Sequence, residues 1–314
     1  MATIMKLSTR LLLIVTCAFI FATGALAADT QTPANWQSEL MTWRVERAKH
    51  LQAPNGWLSL VGLEWLKPGD NSVGSAGGNA LKLKSQAVPY FGVVRLNGNS
   101  IELLPPANGY PKGLQIDGKA PANPQSLAAD DTGKPSKITI STLLVTVIHR
   151  GDQYGLRIRD SQSPTRTGFH GLKWYAPNAA LRVKGQWAPY NPPLKRKVPT
   201  ILGTEIEADV PGKVTFTLDG QTLSLEPILE EPTDKELFFI VKDTTSQDKS
   251  YGAGRFLYTK FPDHGLNQPG TLELDFNYLE NPPCAYTPYA TCPLPPPQNR
   301  LQVALPAGEQ RYHD

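Results

Sequence analysis

The stretch ITISTLLVTVIHRGDQYGLRIR, residues 138–159, decides the fold. Its apolar residues follow a period near two, and β-branched residues are frequent. Ile138 to His149 and Tyr154 to Arg159 therefore read as the arms of a β-hairpin. Arg150-Gly151-Asp152-Gln153 supplies the turn, so the Arg-Gly-Asp triplet is read as turn chemistry rather than as an adhesion motif. Alternation then sorts the second arm: Arg157 and Arg159 share a face opposite Leu156, Ile158 and Asp160.

The same pattern extends in both directions. Upstream, Trp57 to Leu66 ends in the turn Lys67-Pro68-Gly69-Asp70, and Phe91 to Leu96 runs into Asn97-Gly98, a strong hairpin signal. Ala80 to Leu83, Ile101 to Leu104 and Gly113 to Ile116 are further short strands, the last followed by Asp117-Gly118. Downstream, after a Ser/Pro/Thr-rich loop at Ser161 to Thr167, strands are expected at Leu181 to Trp187, Thr200 to Glu207, Lys213 to Leu218, Thr222 to Pro227 and Leu237 to Asp243. Arg255 to Lys260 and Leu272 to Tyr278 complete the set. With 29 prolines and no helix-alternating pattern, the chain is expected to be mostly β, as two packed sandwich or barrel-like units. One helix precedes them, from Asn35 as cap to about His50, with Trp36, Leu40, Trp43 and Arg47 on one face.

Residues 1–27 read as an export signal: Lys6 and Arg10, an apolar run from Leu11 to Ala22, then Ala25-Leu26-Ala27. That run is shorter than the roughly 20 residues a membrane span needs, so a periplasmic or secreted protein without a span is expected. The divisions are then 28–52 (helical segment), 53–160 (first β unit) and 161–314 (second β unit with a Pro-rich C-terminal loop). Without Lys6 and Arg10 the formal charge falls from +3 to +1. This argues against nucleic acid, whose phosphates require a concentrated basic surface. The basic run Lys195-Arg196-Lys197, between Pro192-Pro193 and Pro199, is expected to be a solvated loop.

Cys284 and Cys292 are the only cysteines after the signal. In an exported chain an even pair favours a disulfide, worth about 2–3 kcal/mol for so short a loop, with free structural thiols and then metal or redox chemistry as the alternatives. Seven intervening residues and no nearby histidine make a poor zinc site. No metal and no cofactor are expected. The glycines of Tyr251-Gly252-Ala253-Gly254-Arg255 open a strand rather than a helix, unlike a dinucleotide fingerprint.

Functional candidates come from strand faces. Arg255, Leu257 and Thr259 share one side of their strand, and Glu273, Asp275 and Asn277 turn away from the core side of theirs. If these strands pair, Arg159, Tyr251, Arg255, Asp275 and Asn277 line a polar face able to hold a small polar or anionic ligand, the guanidinium fork matching carboxylate or phosphate. The competing reading makes Arg255 and Asp275 a structural ion pair. Two further alternatives stand beside ligand binding. One is a hydrolase using Asp275 or Asp160 as acid or base, as in carboxylate-pair glycoside hydrolysis. The other is a structural or partner-binding role in the cell envelope. No Gly-x-Ser-x-Gly elbow marks a nucleophile.

Two resemblances follow. The segments Leu66-Lys67-Pro68-Gly69, Val73-Gly74-Ser75, Leu81-Lys82-Leu83, Phe91 to Leu96 and Leu114 to Lys119 resemble the strand order of a forkhead-associated sandwich. Val88-Pro89-Tyr90-Phe91 stands where that family's phosphothreonine-reading residues would be, so the resemblance implies the sandwich without the phosphopeptide activity. More broadly, Gly56-Trp57-Leu58-Ser59-Leu60-Val61-Gly62-Leu63, Leu156 to Asp160, Tyr251 to Arg255, Asp275-Phe276-Asn277, Asn281-Pro282-Pro283-Cys284, Cys292 to Pro297, Asn299-Arg300-Leu301 and Ala307-Gly308-Glu309 look like a bacterial domain-of-unknown-function family of exported proteins. That resemblance carries no activity with it.

Overall fold

The computed structural model of the chain describes residues 33–83, 88–231 and 233–313. The expected export signal lies outside the described residues. Among the described residues, helix α1 (Pro33–Gln52) leads into sixteen strands. The first unit holds β1 (Leu60–Trp65), β2 (Gly69–Gly74), β3 (Leu81–Lys82), β4 (Gly92–Asn97), β5 (Ser100–Leu104), β6 (Gln115–Ile116), β7 (Gln125–Ser126), β8 (Ile138–Ile140), β9 (Leu143–Arg150) and β10 (Gln153–Asp160). They form two five-stranded sheets, ordered β1-β10-β9-β8-β6 and β3-β2-β4-β5-β7. Val94 and Leu103 of one sheet and Val145, Val147 and Leu156 of the other are fully buried in a shared core, which makes this unit a sandwich.

The opening stretch folds as three strands rather than two. Ser141 takes a left-handed φ of 52°, so Ile138–Ile140 turns back on β9, with Ile140 opposite Leu143. Beyond it the hairpin register is as expected, Arg150 opposite Gln153 and Leu156 opposite Val147, with Gly151 at φ 57° in the turn. Leu156 and Ile158 point into the sandwich, which leaves Arg157 and Arg159 on its outer face.

A short helix, α2 (Pro164–Thr167), connects to the second unit: β11 (Arg182–Pro199), β12 (Glu205–Leu218), β13 (Gln221–Leu225), β14 (Glu236–Val241), β15 (Arg255–Lys260) and β16 (Gly270–Asp275). The order β13-β12-β11-β16 forms one sheet, and β14-β15 a separate antiparallel pair. Their core includes Val214, Phe239, Leu274 and Phe276 and is completed by Leu301, Val303, Leu305 and Ala307 of the C-terminal segment. Among the described residues no closed barrel forms. The basic run is not a loop. Lys195, Arg196 and Lys197 lie within the 18-residue β11, beyond an irregularity between Pro189 and Leu194. There Lys195 faces Asp209 at 2.5 Å, Arg196 faces Glu226 at 3.1 Å and Lys197 faces Glu205 at 3.5 Å.

Helix α1 begins at Pro33, so Asn35 sits inside its first turn and bonds Glu39 instead of capping. Trp36, Leu40 and Leu51 are buried on the face that the 3.6-residue period predicts. That face docks on the second unit. Trp43 packs edge-on to Trp174 and Tyr278, and the Arg44 guanidinium lies 4.6 Å over Trp174. Among the described residues no helix is long and apolar enough to cross a membrane.

Candidate functional site

The five residues expected to share a polar face are dispersed, because β15 pairs with β14 and β16 pairs with β11. Arg255 is fully buried, and its two terminal nitrogens are engaged within the protein while its Nε has no partner. It donates to Asp243 Oδ2 at 2.8 Å, to the Leu305 carbonyl at 2.9 Å, and to the carbonyls of Ala307 and Glu309. Asp243 also receives the Leu305 backbone N–H, so this ion pair fastens the C-terminal segment to β15. The ion pair expected of Arg255 thus exists, with Asp243 rather than Asp275 as partner.

Asp275 ends β16, and the chain then turns into a 3-10 helix at Phe276–Tyr278, which carries Phe276 and Asn277 both inward. The strand alternation expected through Tyr278 therefore fails. Asp275 accepts from the Trp36 indole at 2.6 Å, from the Asn277 side chain and backbone, and lies 3.0 Å from Arg182. Asn277 exchanges two 2.8 Å hydrogen bonds with the Asn178 backbone. Tyr251 donates to the Cys284 carbonyl at 3.0 Å. Arg159 places its guanidinium 5.6 Å over Trp57, and Arg255 places its own 5.9 Å over Tyr175.

The glycine loop is also structural. Gly254 has φ 100°, and a Cβ there would stand 2.5 Å from Pro295 and 2.8 Å from the Val241 carbonyl. It allows the Pro-rich loop, rather than a ligand, to approach. Cys284 and Cys292 are free thiols, so the expected disulfide is not formed. The Cys284 backbone N–H donates to Cys292 Sγ at 3.2 Å, an arrangement that serves the sulfur as a hydrogen-bond acceptor.

The large concavity lies on the other face of β15. A cleft of about 1060 Å³ opens between the first unit and the second. Alternation along β15 explains its placement: Arg255, Leu257 and Thr259 point into the protein, and Phe256 and Tyr258 point into the cleft. The first unit contributes Trp57, Arg157 and the β9–β10 turn, including Arg150. The second contributes an acidic side with Glu207, Glu230 and Glu280, and the C-terminal loop contributes Thr291 and Cys292.

Arg157 is the distinctive group on the first wall. It is 9% exposed, its Nε has no hydrogen-bond partner, and the carboxylate of Asp130 stands 4.0 Å away. Asp130 is committed to Arg150, which it meets at 2.8 and 2.9 Å. Burial, then the charges of Arg150 and Arg159, hold the Arg157 guanidinium down to about 10. The face of Trp57 lies 5.6 Å from both Arg157 and Arg159. A buried guanidinium with an unused donor offers a seat for an anion, and its planar fork suits a carboxylate or phosphate.

Glu280 is the matching group opposite. Its backbone pairs with Phe256, and its carboxylate lies 3.3 Å from Arg47. Arg47 gives its shorter contact, 2.9 Å, to the fully buried Glu309, which also accepts from Tyr286 and from the Asn281 backbone. Burial pushes Glu280 up to about 7; Arg47 opposes the rise and Glu309 adds to it. The neighbouring Tyr258 phenol is pushed up by burial and by Glu230. Asp160 and Asp275, the carboxylates expected to act as acid or base, do not line this cleft. Arg157 had a signal in sequence, the shared face with Arg159. Glu280 had none, because the wall it joins comes from distant segments.

Residues 167–310 match a family described as protein of unknown function (DUF1684). An uncharacterised protein from Haloarcula marismortui, solved in solution by NMR, is 30% identical over 48% of this chain and 83% of its own. Its TM-score of 0.40 is too low for overall shape to carry an argument. The search of curated proteins finds no match. Through residues 167–310, this chain belongs to the DUF1684 family of unknown function.

Proposed function

We propose that the protein is exported and binds a small polar ligand bearing a carboxylate or phosphate in the cleft between its two β units. The observation that carries this reading is Arg157, buried and with an unused donor, on the wall of a cleft of about 1060 Å³. Leaving a guanidinium desolvated without a full partner is costly, and an anionic ligand removes that cost. Trp57 gives the same site a flat apolar surface, a common feature of small-molecule pockets. Export rests on Lys6, Arg10 and the apolar run that ends at Ala25-Leu26-Ala27. Mass measurement of the protein recovered from its native cell envelope tests that part: a start near Ala28 is expected, and an intact Met1 contradicts it.

The binding test is a thermal-shift screen of carboxylates and phosphates on the full chain, wild type against Arg157→Ala. A ligand at 100 times its Kd stabilises by about 2.7 kcal/mol. The variant is expected to weaken binding by about 2 kcal/mol, roughly 30-fold. An equal response from both proteins refutes the assignment.

A second reading, hydrolysis with a carboxylate as acid or base, is favoured by one observation: Glu280 is raised to about 7 on the same cleft wall. Glu280→Gln separates the two. Under the binding reading it leaves ligand-induced stabilisation in place; under the hydrolytic reading it abolishes turnover of a bound ester, amide or glycoside.

A further inference from the structure

The cysteine pair lies at the edge of the cleft and is not used by the ligand-binding reading. Cys292 is 4% exposed overall and lines the cleft, while Cys284 is half-buried beside it. Proline brackets both, as Pro282-Pro283 before one and Pro293 after the other. The Tyr251 hydroxyl holds the Cys284 carbonyl, so the two sulfurs are presented together on a stiffened loop. The Cys284 backbone N–H donates to Cys292 Sγ at 3.2 Å, which sets the two cysteines side by side. Arg157 is near enough to act electrostatically on Cys292.

A structural zinc ion takes four ligands. Among the described residues no group of three or more His, Cys, Asp and Glu is placed to hold a metal ion. Two thiols alone suit a different class, a soft monovalent cation that thiolates select and that needs few ligands. We propose that Cys284 and Cys292 form a two-coordinate Cu(I) site opening on the cleft. Both S–H groups lose their protons to solvent, two Cu–S bonds form, and the neutral dithiol becomes a centre of charge −1. The Arg157 guanidinium offsets that charge. Copper keeps its oxidation state throughout, so no oxidant or reductant is consumed.

The test uses the full chain carrying Cys17→Ser, reduced and anaerobic, titrated against the coloured Cu(I)–bicinchoninate complex. One equivalent of Cu(I) is expected to leave the chelator, and Cys284→Ser and Cys292→Ser are each expected to lose that withdrawal. If the parent protein leaves the chelator complex intact, or a single-serine variant withdraws as much as the parent, the site does not exist. A second measurement needs no variant at either cysteine. Cu(I) is expected to shield both thiols from iodoacetamide in the peptide that follows Lys260, and equal alkylation with and without copper overturns the proposal.

Discussion

Arg255 and Arg157 are both buried arginines, and their surroundings give them opposite roles. Each has a buried Nε without a partner, but the first spends its terminal N–H groups on Asp243 and on carbonyls of the C-terminal segment, whereas the carboxylate of Asp130 stands 4.0 Å from the second and is committed to Arg150. Arg255→Ala strands the buried Asp243 carboxylate and is expected to cost about 3–5 kcal/mol in urea unfolding. A loss under 1 kcal/mol shows that the pair does not hold the segment. Glu280 gives a pH signature. Its folded value of about 7 lies above its ordinary 4.5, so the folded state binds more protons between those values. The stabilisation from the protonated form is complete below about pH 4.5 and is lost as pH rises to about 7, by up to about 3 kcal/mol. Stability measured across that window is expected to fall less steeply in Glu280→Gln than in wild type, and identical slopes contradict it. Arg157 and Arg159 were legible on one face because β10 is a regular strand that alternates throughout. Asp275 and Asn277 were misassigned because the chain leaves the strand at Asp275, where a 3-10 turn breaks the period of two.

At the scale of elements, most strands could be read from alternation and turn residues, and errors fall where tertiary contacts reset the backbone. Ser141 takes a left-handed φ normally favourable to glycine or asparagine, so nothing local marked the turn that separates β8 from β9. Strand pairing was beyond local pattern altogether, since β16 joins β11 across more than seventy residues and leaves β15 to β14. Helix α1 was readable from its periodicity, but its polar anchors were not. Trp36→Phe keeps the apolar contact and removes the indole bond to Asp275. A buried acceptor losing a donor is expected to cost about 1–3 kcal/mol, a fall in Tm of several degrees. An unchanged Tm shows that Asp275 is satisfied without the helix. Gly254→Ala is expected to destabilise by more than 1 kcal/mol, through its positive φ and its collision with Pro295. A neutral effect in thermal unfolding rules out a tight approach of the Pro-rich loop.

Across the whole molecule, the proposed function is a property of the junction. The first sandwich supplies guanidinium groups and Trp57, the DUF1684 domain supplies carboxylates and Tyr258, and the C-terminal loop brings Thr291 and Cys292 to the same cleft. A sequence motif has no means of marking such a place, because its walls are joined only by packing between units. The loop held by Arg255 and the helix held by Asp275 are supports for that junction, and loss of either is expected to act on ligand binding through stability alone. The most direct test is a crystal structure of the full chain soaked with whichever carboxylate or phosphate stabilises it in solution. The anion is predicted to lie in the cleft, bonded to the Arg157 guanidinium and beside Trp57. An anion ordered elsewhere, with the Arg157 donors still unused, contradicts the proposed function.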